Sequence, residues 1–195
     1  MVGHTVKSGY KLLCEDARSD ADTVSNSEAL HSFWKGIWKM HVPGKIKHFE
    51  WRSACSNALP TKMNLVKRKI LDDDICQLCQ KTESTPHALW EGETIQSLWN
   101  KNFSWVDRSQ SARASFGDLV TLIRIRPHLF DIFATIAWSL RCRRNKVHLN
   151  EAAQPLERIA EEACQYLKTY RNAHWRPPKG PRRAKIKWHP LQNQL

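Results

Sequence analysis

The chain has 195 residues, enough for about one compact unit with a tail and too few for a complete polymerase. Lysine and arginine number 31 against 19 aspartates and glutamates, and the formal net charge of +12 favours polyanionic partners such as nucleic acid. The first residues lack the apolar core of a secretion signal, and charges break every apolar run before 18 residues, so we expect neither secretion nor a membrane span.

The six cysteines are scattered apart from one close pair, Cys76 and Cys79. This spacing is unlike the disulfide framework of a small secreted domain. We therefore expect a reducing, intracellular compartment, the nucleus or the cytoplasm, and consider the pair a candidate for metal binding.

Apolar residues recur at helical spacing along most of the chain and predict an all-α fold, an irregular helical bundle. The first predicted helix covers residues 27–40, with Ser27 as its N-cap, and ends before Pro43-Gly44. A second helix is expected from Lys45 to about Asn57.

A third helix is predicted after Thr61, whose hydroxyl can accept a hydrogen bond from an unpaired amide of the first turn. Met63, Val66 and Ile70 are expected to face inward. Lys62 is expected to point outward.

The rest of the chain continues this pattern. An acidic loop at residues 72–74 reads as a turn or a helix cap, and one helix is predicted over residues 84–99. Two long apolar stripes, at 129–140 and at 156–170 after Pro155, predict a helical hairpin. Helical spacing also indicates that five tryptophans pack in the core rather than stack on bases: Trp34, Trp38, Trp51, Trp90 and Trp99.

Cys76-x2-Cys79-x7-His87 is the strongest chemical signal in the sequence. Two thiolates from one turn and an imidazole from the next helix suit zinc, which takes four donors in a closed structural site. A knuckle-like gap of four residues after His87 ends at Gly92, which offers no donor. The alternative to a zinc site is that Cys76 and Cys79 are two buried thiols and that His87 is a hydrogen-bonded surface imidazole.

Several groups can supply a fourth donor. Glu91 and Glu93 flank the gap, Cys55 or His48 can approach from the second helix, and water can take the position. We favour a carboxylate or water because these need no remote contact.

Basic residues are concentrated on the second and third helices, where one acid, Glu50, lies among them. Such a face predicts sequence-independent phosphate contacts. The tail adds further cations and two tryptophans, Trp175 and Trp188, that can stack on unpaired bases. The candidate nucleic-acid-binding residues are Lys45, Lys47, Arg52, Lys62, Lys67, Arg68, Lys69, Arg182 and Arg183.

Residues 6–100 contain many separate short motifs, which follow one another in a characteristic order. They are Val6-Lys-Ser-Gly-Tyr10, Trp34-x3-Trp38, Pro43-Gly-Lys-Ile-Lys47-x-Phe49-x-Trp51-Arg52, Leu59-Pro-Thr61-x2-Asn64-Leu65-x2-Arg68, Cys76-x2-Cys79, Glu83-Ser84 and His87-Ala-Leu-Trp90. Together they resemble the reverse-transcriptase zinc-binding domain of plant LINE-type (non-LTR) retrotransposons. Ile136-Ala-Trp138-x2-Arg141-x2-Arg144-Asn145 and Trp175-Arg-Pro-Pro178 with Lys185-Ile186 are similar to the connector before ribonuclease H in those polyproteins.

The resemblance implies a zinc site with ligands at Cys76, Cys79 and His87, and a fourth, cysteine ligand at the position of Gly92. It implies a partner that is RNA or an RNA–DNA hybrid, with a reverse transcriptase as a possible protein partner. Residues after Lys185-Ile186 lack the aspartate that opens a ribonuclease H domain, so we expect a truncated element fragment.

Four parts follow from these patterns. Residues 1–26 form an N-terminal segment, expected to be flexible and only partly ordered, and residues 27–105 a domain similar to the reverse-transcriptase zinc-binding domain. Residues 106–174 form a helical connector, and residues 175–195 a basic, proline-rich linker toward ribonuclease H.

No convincing carboxylate pair, activated nucleophile or phosphate loop is present in the sequence, so we expect a non-catalytic module that contacts nucleic acid. The alternative is an interaction or spacer module that docks on a reverse transcriptase or on a second copy, without binding nucleic acid directly.

Overall fold

The computed structural model describes residues 25–55, 58–107 and 115–174 of the chain. The motif at residues 6–10 and the tail with Arg182 and Arg183 lie outside these ranges. The helices are α1 (Ser25–Lys39), α2 (Gly44–Cys55), α3 (Lys62–Lys67), α4 (Gln96–Phe103), α5 (Phe116–Ile123), α6 (Pro127–His148) and α7 (Leu156–Ala173).

A π-helical turn (His87–Glu91) and a 3-10 turn (Glu93–Ile95) precede α4. Over the described ranges, β pairing is limited to one isolated antiparallel bridge between Ile75 and Thr82. The all-α prediction is therefore confirmed.

The third helix follows the predicted start but not the predicted orientation. Thr61 caps α3, its hydroxyl accepting the amide proton of Asn64 at 3.3 Å. Ile70, expected inside, is 63% exposed because α3 ends three residues before it, and Lys62, expected outside, is only 7% exposed. The ammonium of Lys62 pairs with Asp73, and the backbone amide of Lys62 donates to Glu83.

The predicted continuous helix over residues 84–99 is wrong. Gly92 has φ −53° and ψ 130°, an extended conformation that breaks the chain path between the π-helical turn and the 3-10 turn. The break separates the segment that carries His87 from α4, which lies in the core.

The predicted hairpin is confirmed, since α6 and α7 pack against each other along their length. Arg171 of α7 pairs with Asp131 of α6, whose side chain is almost fully buried. Trp138 and Tyr166 stack between the two helices with ring centroids 6.1 Å apart.

The centre of the core is an aromatic cluster of buried rings, Trp90, Trp99, Phe103, Phe116 and Phe133. The Trp99 centroid lies 5.1 Å from Trp90, 5.4 Å from Phe103 and 5.0 Å from Phe133. The indole N–H of Trp99 donates to the Leu89 carbonyl at 3.1 Å, so the polar atom of this buried ring is satisfied.

Not every tryptophan joins this core. Trp90 and Trp99 are buried as predicted, Trp38 and Trp51 are half-buried, and Trp34 is 43% exposed, against the prediction. Among the residues that the structure describes, none of the helices combines the length and apolarity needed to cross a bilayer.

Candidate metal centre

The CxxC turn, residues 75–82, is a tight loop closed by its own backbone. The amide of Cys76 donates to the Lys81 carbonyl at 2.8 Å, and the amide of Gln80 donates to the Cys76 carbonyl at 2.9 Å. Gln80 has φ 58°, the left-handed conformation that a non-glycine residue adopts at a cost. This closure brings both cysteine side chains to the same side of the loop.

The imidazole comes from the π-helical turn. Its first residue, His87, donates its amide proton to the Ser84 hydroxyl at 3.2 Å, and its carbonyl accepts the Gly92 amide at 3.0 Å. Trp90, in the same turn, lies in the aromatic cluster, so one short segment joins the core to the site. π turns are rare and often occur at functional sites.

Cys76, Cys79 and His87 form the donor cluster, in which the three ligand atoms all lie within 4.8 Å of one another. Cys79 Sγ and His87 Nε2 are 3.3 Å apart. Two ligands of a tetrahedral zinc, with bonds of about 2.3 Å to sulfur and 2.0–2.1 Å to nitrogen, are separated by about 3.5 Å. The observed spacing therefore fits a shared ion, and it equally permits a thiol–imidazole hydrogen bond.

The electrostatic setting favours coordination. Burial lowers the pKa of His87 below its ordinary value, outweighing the opposite effect of the Glu83 carboxylate. A neutral imidazole keeps a lone pair available for a metal. Cys76 is buried and Cys79 half-buried, which shields the thiol groups from bulk solvent.

No carboxylate joins the donor cluster in the described parts of the chain. Glu93 instead pairs with Lys81 at 2.6 Å, and this contact holds the pKa of Glu93 below its usual range. Glu91 is half-buried, and burial raises its pKa. A fourth-ligand role for either glutamate stays a prediction, and His48 and Cys55 also lie outside the cluster.

Glu83 anchors the donor cluster to the rest of the molecule. Its carboxylate accepts the Lys62 amide proton at 2.9 Å and pairs with Arg144 of α6. Its own amide donates to the Asp74 carbonyl at 2.8 Å. Arg144 also donates to the Pro60 carbonyl at 2.9 Å. One guanidinium therefore connects α6 both to Glu83 and to the residue before Thr61, the N-cap of α3.

Sequence reasoning missed the role of Glu83 and Arg144, although both belong to the motifs on which the family resemblance rests. An acid beside a candidate ligand and an arginine in the apolar connector were available signals. Their pairing could not be inferred because 61 positions separate them.

A cleft of about 120 Å³ adjoins the donor cluster. Cys76, His87 and Gly92 line one side, and the C-terminal part of α6 lines another. The cleft walls are mostly apolar.

The candidate nucleic-acid-binding residues are not equally available. Lys62 is buried, with its ammonium 3.0 Å from Asp73, and Lys47 donates to the Trp38 carbonyl at 2.9 Å. Lys45 is exposed, with its ammonium 4.3 Å from the Trp138 ring centroid. The remaining described members are exposed at the ends of α2 and α3: Arg52, Lys67, Arg68 and Lys69.

The donor cluster and the CxxC turn lie in the part of the chain that comparison with known families recognises. Residues 4–99 match the family described as zinc-binding in reverse transcriptase. The match covers about half of the chain and supports this domain assignment for the segment with all three donors. No curated protein and no solved structure matches significantly.

The reverse-transcriptase zinc-binding domain is a metal-binding domain rather than a catalytic one. The matched segment contains the donor cluster of Cys76, Cys79 and His87. Helices α5 to α7 lie beyond the matched segment, yet α6 contributes Phe133 to the aromatic cluster.

Proposed function

We propose that this chain is a non-catalytic zinc-binding module of a protein derived from a plant LINE-type retroelement and that it contacts nucleic acid. The observation that supports it most is the donor cluster, three soft or borderline ligand atoms within 4.8 Å inside the matched segment. Its place between polymerase and ribonuclease H belongs to the same proposal, as does an intracellular location where thiols stay reduced.

A bound zinc ion would fix the CxxC turn to the π-helical turn. Cys76 and Cys79 would hold it from the loop and His87 from the segment that carries Trp90. Zinc in such a site contributes folding free energy directly and supplies no reaction chemistry. The position of the acidic loop and of α3 beside it would then follow from metal binding.

The nucleic-acid contact is proposed on charge and exposure. Lys67, Arg68 and Lys69 are consecutive and exposed, a few residues before the acidic loop. Arg52 is exposed on α2, and the whole chain carries a formal charge of +12. Cations of this kind bind phosphates without reading sequence, which suits an RNA–DNA hybrid of any composition.

Metal content tests the first half of the proposal. Purified protein should contain less than one zinc per chain, because three donors hold zinc less firmly than four. Gly92→Cys should raise the content towards one. Gly92→Ala is the matched control, because the added Cβ meets the His87 carbonyl at 3.0 Å in both variants but only one carries a sulfur. Equal zinc in all three proteins would refute the missing-ligand explanation.

Salt dependence tests the second half. Affinity for a generic RNA–DNA hybrid should fall steeply with salt, with a logarithmic slope of about −0.7 to −0.9 per phosphate contacted. Replacing Lys67, Arg68 and Lys69 together by glutamine should reduce the slope by about 2. Lys35, Lys101 and Lys168, exposed on other helices, provide a control triple with the same charge change. Binding that ignores salt, or equal effects of both triples, would contradict the proposed face.

The second candidate is a protein-docking module, and exposed apolar side chains near the metal centre favour it. Leu78 in the CxxC turn is 70% exposed, Ile70 63%, and Leu149 after α6 68%. A reverse transcriptase or a second copy is the proposed partner. Sedimentation that shows self-association at high salt, together with no binding to any nucleic acid, would favour this alternative.

A further inference from the structure

The cleft beside the donor cluster is lined by Gly92, the position at which the family resemblance implies a fourth donor. Cys76 and His87 supply two of the three donors and line the cleft, and so does Gly92, which has no side chain to close it. Apolar groups form most of the remaining wall: Leu78, Ala88, Ile95, Leu140, Val147 and Leu156.

Zinc with thiolate and imidazole ligands completes a tetrahedron, and this cluster offers three donors. We propose that the fourth coordination position faces the cleft and takes an external thiolate, carried by a small organic acid. The inference rests on the proposed metal binding and adds a ligand class to it.

The chemistry of the cleft selects this class. A thiolate is the ligand type that the two cysteines already show to suit the site. Two thiolates balance the charge of Zn²⁺, so a third leaves one negative charge, and a carboxylate on the same molecule adds another. Arg143 lines the cleft and offers a guanidinium that can face these charges, beside the ion pair of Arg144 and Glu83 in the same wall.

Size sets a further limit. About 120 Å³ holds several water molecules, and thus a molecule of a few heavy atoms rather than a peptide segment. On binding, the thiol proton passes to solvent, the sulfur lone pair forms the metal–sulfur bond, and any water in the position leaves. No oxidation state changes.

The test uses the full chain loaded with Co²⁺, whose thiolate charge-transfer absorbance counts sulfur ligands, and 3-mercaptopropionate as the probe. The near-ultraviolet band should rise saturably, by about half, as two sulfur ligands become three. Gly92→Cys should show the raised band without the probe and no further rise with it. Gly92→Ala should respond like the parent.

Three comparison compounds define the ligand. 1-Propanethiol lacks the carboxylate and should bind roughly tenfold more weakly, a preference that Arg143→Ala should abolish. Propionate lacks the sulfur and should leave the charge-transfer band unchanged. N-acetylcysteine methylamide mimics a cysteine in a protein chain, so tighter binding of this probe than of 3-mercaptopropionate would overturn the small-acid assignment.

Three results overturn the inference. They are a band that stays unchanged in a protein that has taken up Co²⁺, loss of the metal to the thiol, and a change of the thiol-free spectrum in His148→Ala, which would make His148 the fourth ligand. Failure to take up any metal refutes the proposed function itself, so the two failures are distinguishable.

Discussion

The aromatic cluster and the CxxC turn are stabilised by opposite means. The cluster buries five rings against one another, and the indole N–H of Trp99 donates to the Leu89 carbonyl. The CxxC turn has few buried apolar groups, leaves Leu78 70% exposed, and depends on backbone hydrogen bonds and on Glu83. Loss of a buried aromatic side chain should therefore unfold the aromatic cluster. Loss of a polar contact or of a bound metal ion should unfold the CxxC turn.

The largest effect is expected from Trp99→Ala. This ring is fully buried and contacts three other aromatic rings, so its loss should lower the free energy of unfolding by about 3–5 kcal/mol. Urea denaturation followed by far-UV circular dichroism measures it. Trp34→Ala, at a ring that is 43% exposed, is the control and should change stability far less. Similar losses in both variants would contradict the assignment of the core.

A buried acid in α2 gives the next effect. Glu50 is fully buried without a hydrogen-bond partner, and burial raises its pKa to about 8. Between pH 4.5 and 8 the unfolded chain loses this proton while the folded chain keeps it, so stability falls as pH rises. At about 1.4 kcal/mol per pH unit, the loss is about 3 kcal/mol by pH 7.

Glu50→Gln isolates this contribution because glutamine stays neutral. Unfolding measured from pH 4.5 to 8 should show the variant gaining on the parent protein as pH rises, and no further divergence above pH 8. Parallel curves for the two proteins would show that Glu50 does not retain its proton in the folded state.

The polar anchor of the CxxC turn should respond less in overall stability and more in metal binding. Glu83→Gln leaves Arg144 without its carboxylate partner and should cost about 2–3 kcal/mol, below the value for a fully buried pair because the Arg144 side chain is 18% exposed. Hydrogen exchange should accelerate at the amides of the turn before those of α6. Glu93→Gln, in an exposed ion pair, should change neither the free energy of unfolding nor the exchange rates of these amides.

The smallest change is expected from Gln80→Gly. Relief of the left-handed conformation, at φ 58°, should be partly offset by the greater chain entropy of glycine, for a net gain below about 1 kcal/mol. The gain should be visible as tighter zinc binding in a competition titration. A weaker metal affinity would show that the Gln80 side chain, not only its backbone, supports the turn.

Local patterns predicted much of the fold. Apolar spacing predicted α6, α7 and their pairing, and the Thr61 hydroxyl predicted the start of α3, because these features depend on neighbours a few residues away. The donor cluster was likewise predictable from the spacing of Cys76, Cys79 and His87.

Features that depend on distant residues were not predictable. Lys62 is buried, its ammonium contacts Asp73, 11 positions away, and its amide contacts Glu83, 21 positions away. The helix break at Gly92 separates His87, in the donor cluster, from Trp99, in the core. Helical periodicity in the sequence could not show this break.

The position of Phe133 has a practical consequence for work with this protein. Its ring covers Trp90 and Trp99, which lie in the segment that matches the zinc-binding family, but Phe133 itself lies 34 residues past the end of that match at residue 99. Expression of residues 4–99 alone would expose the indole rings of Trp90 and Trp99 to solvent and favour aggregation. The segment that matches the family is therefore shorter than the segment needed to bury the core.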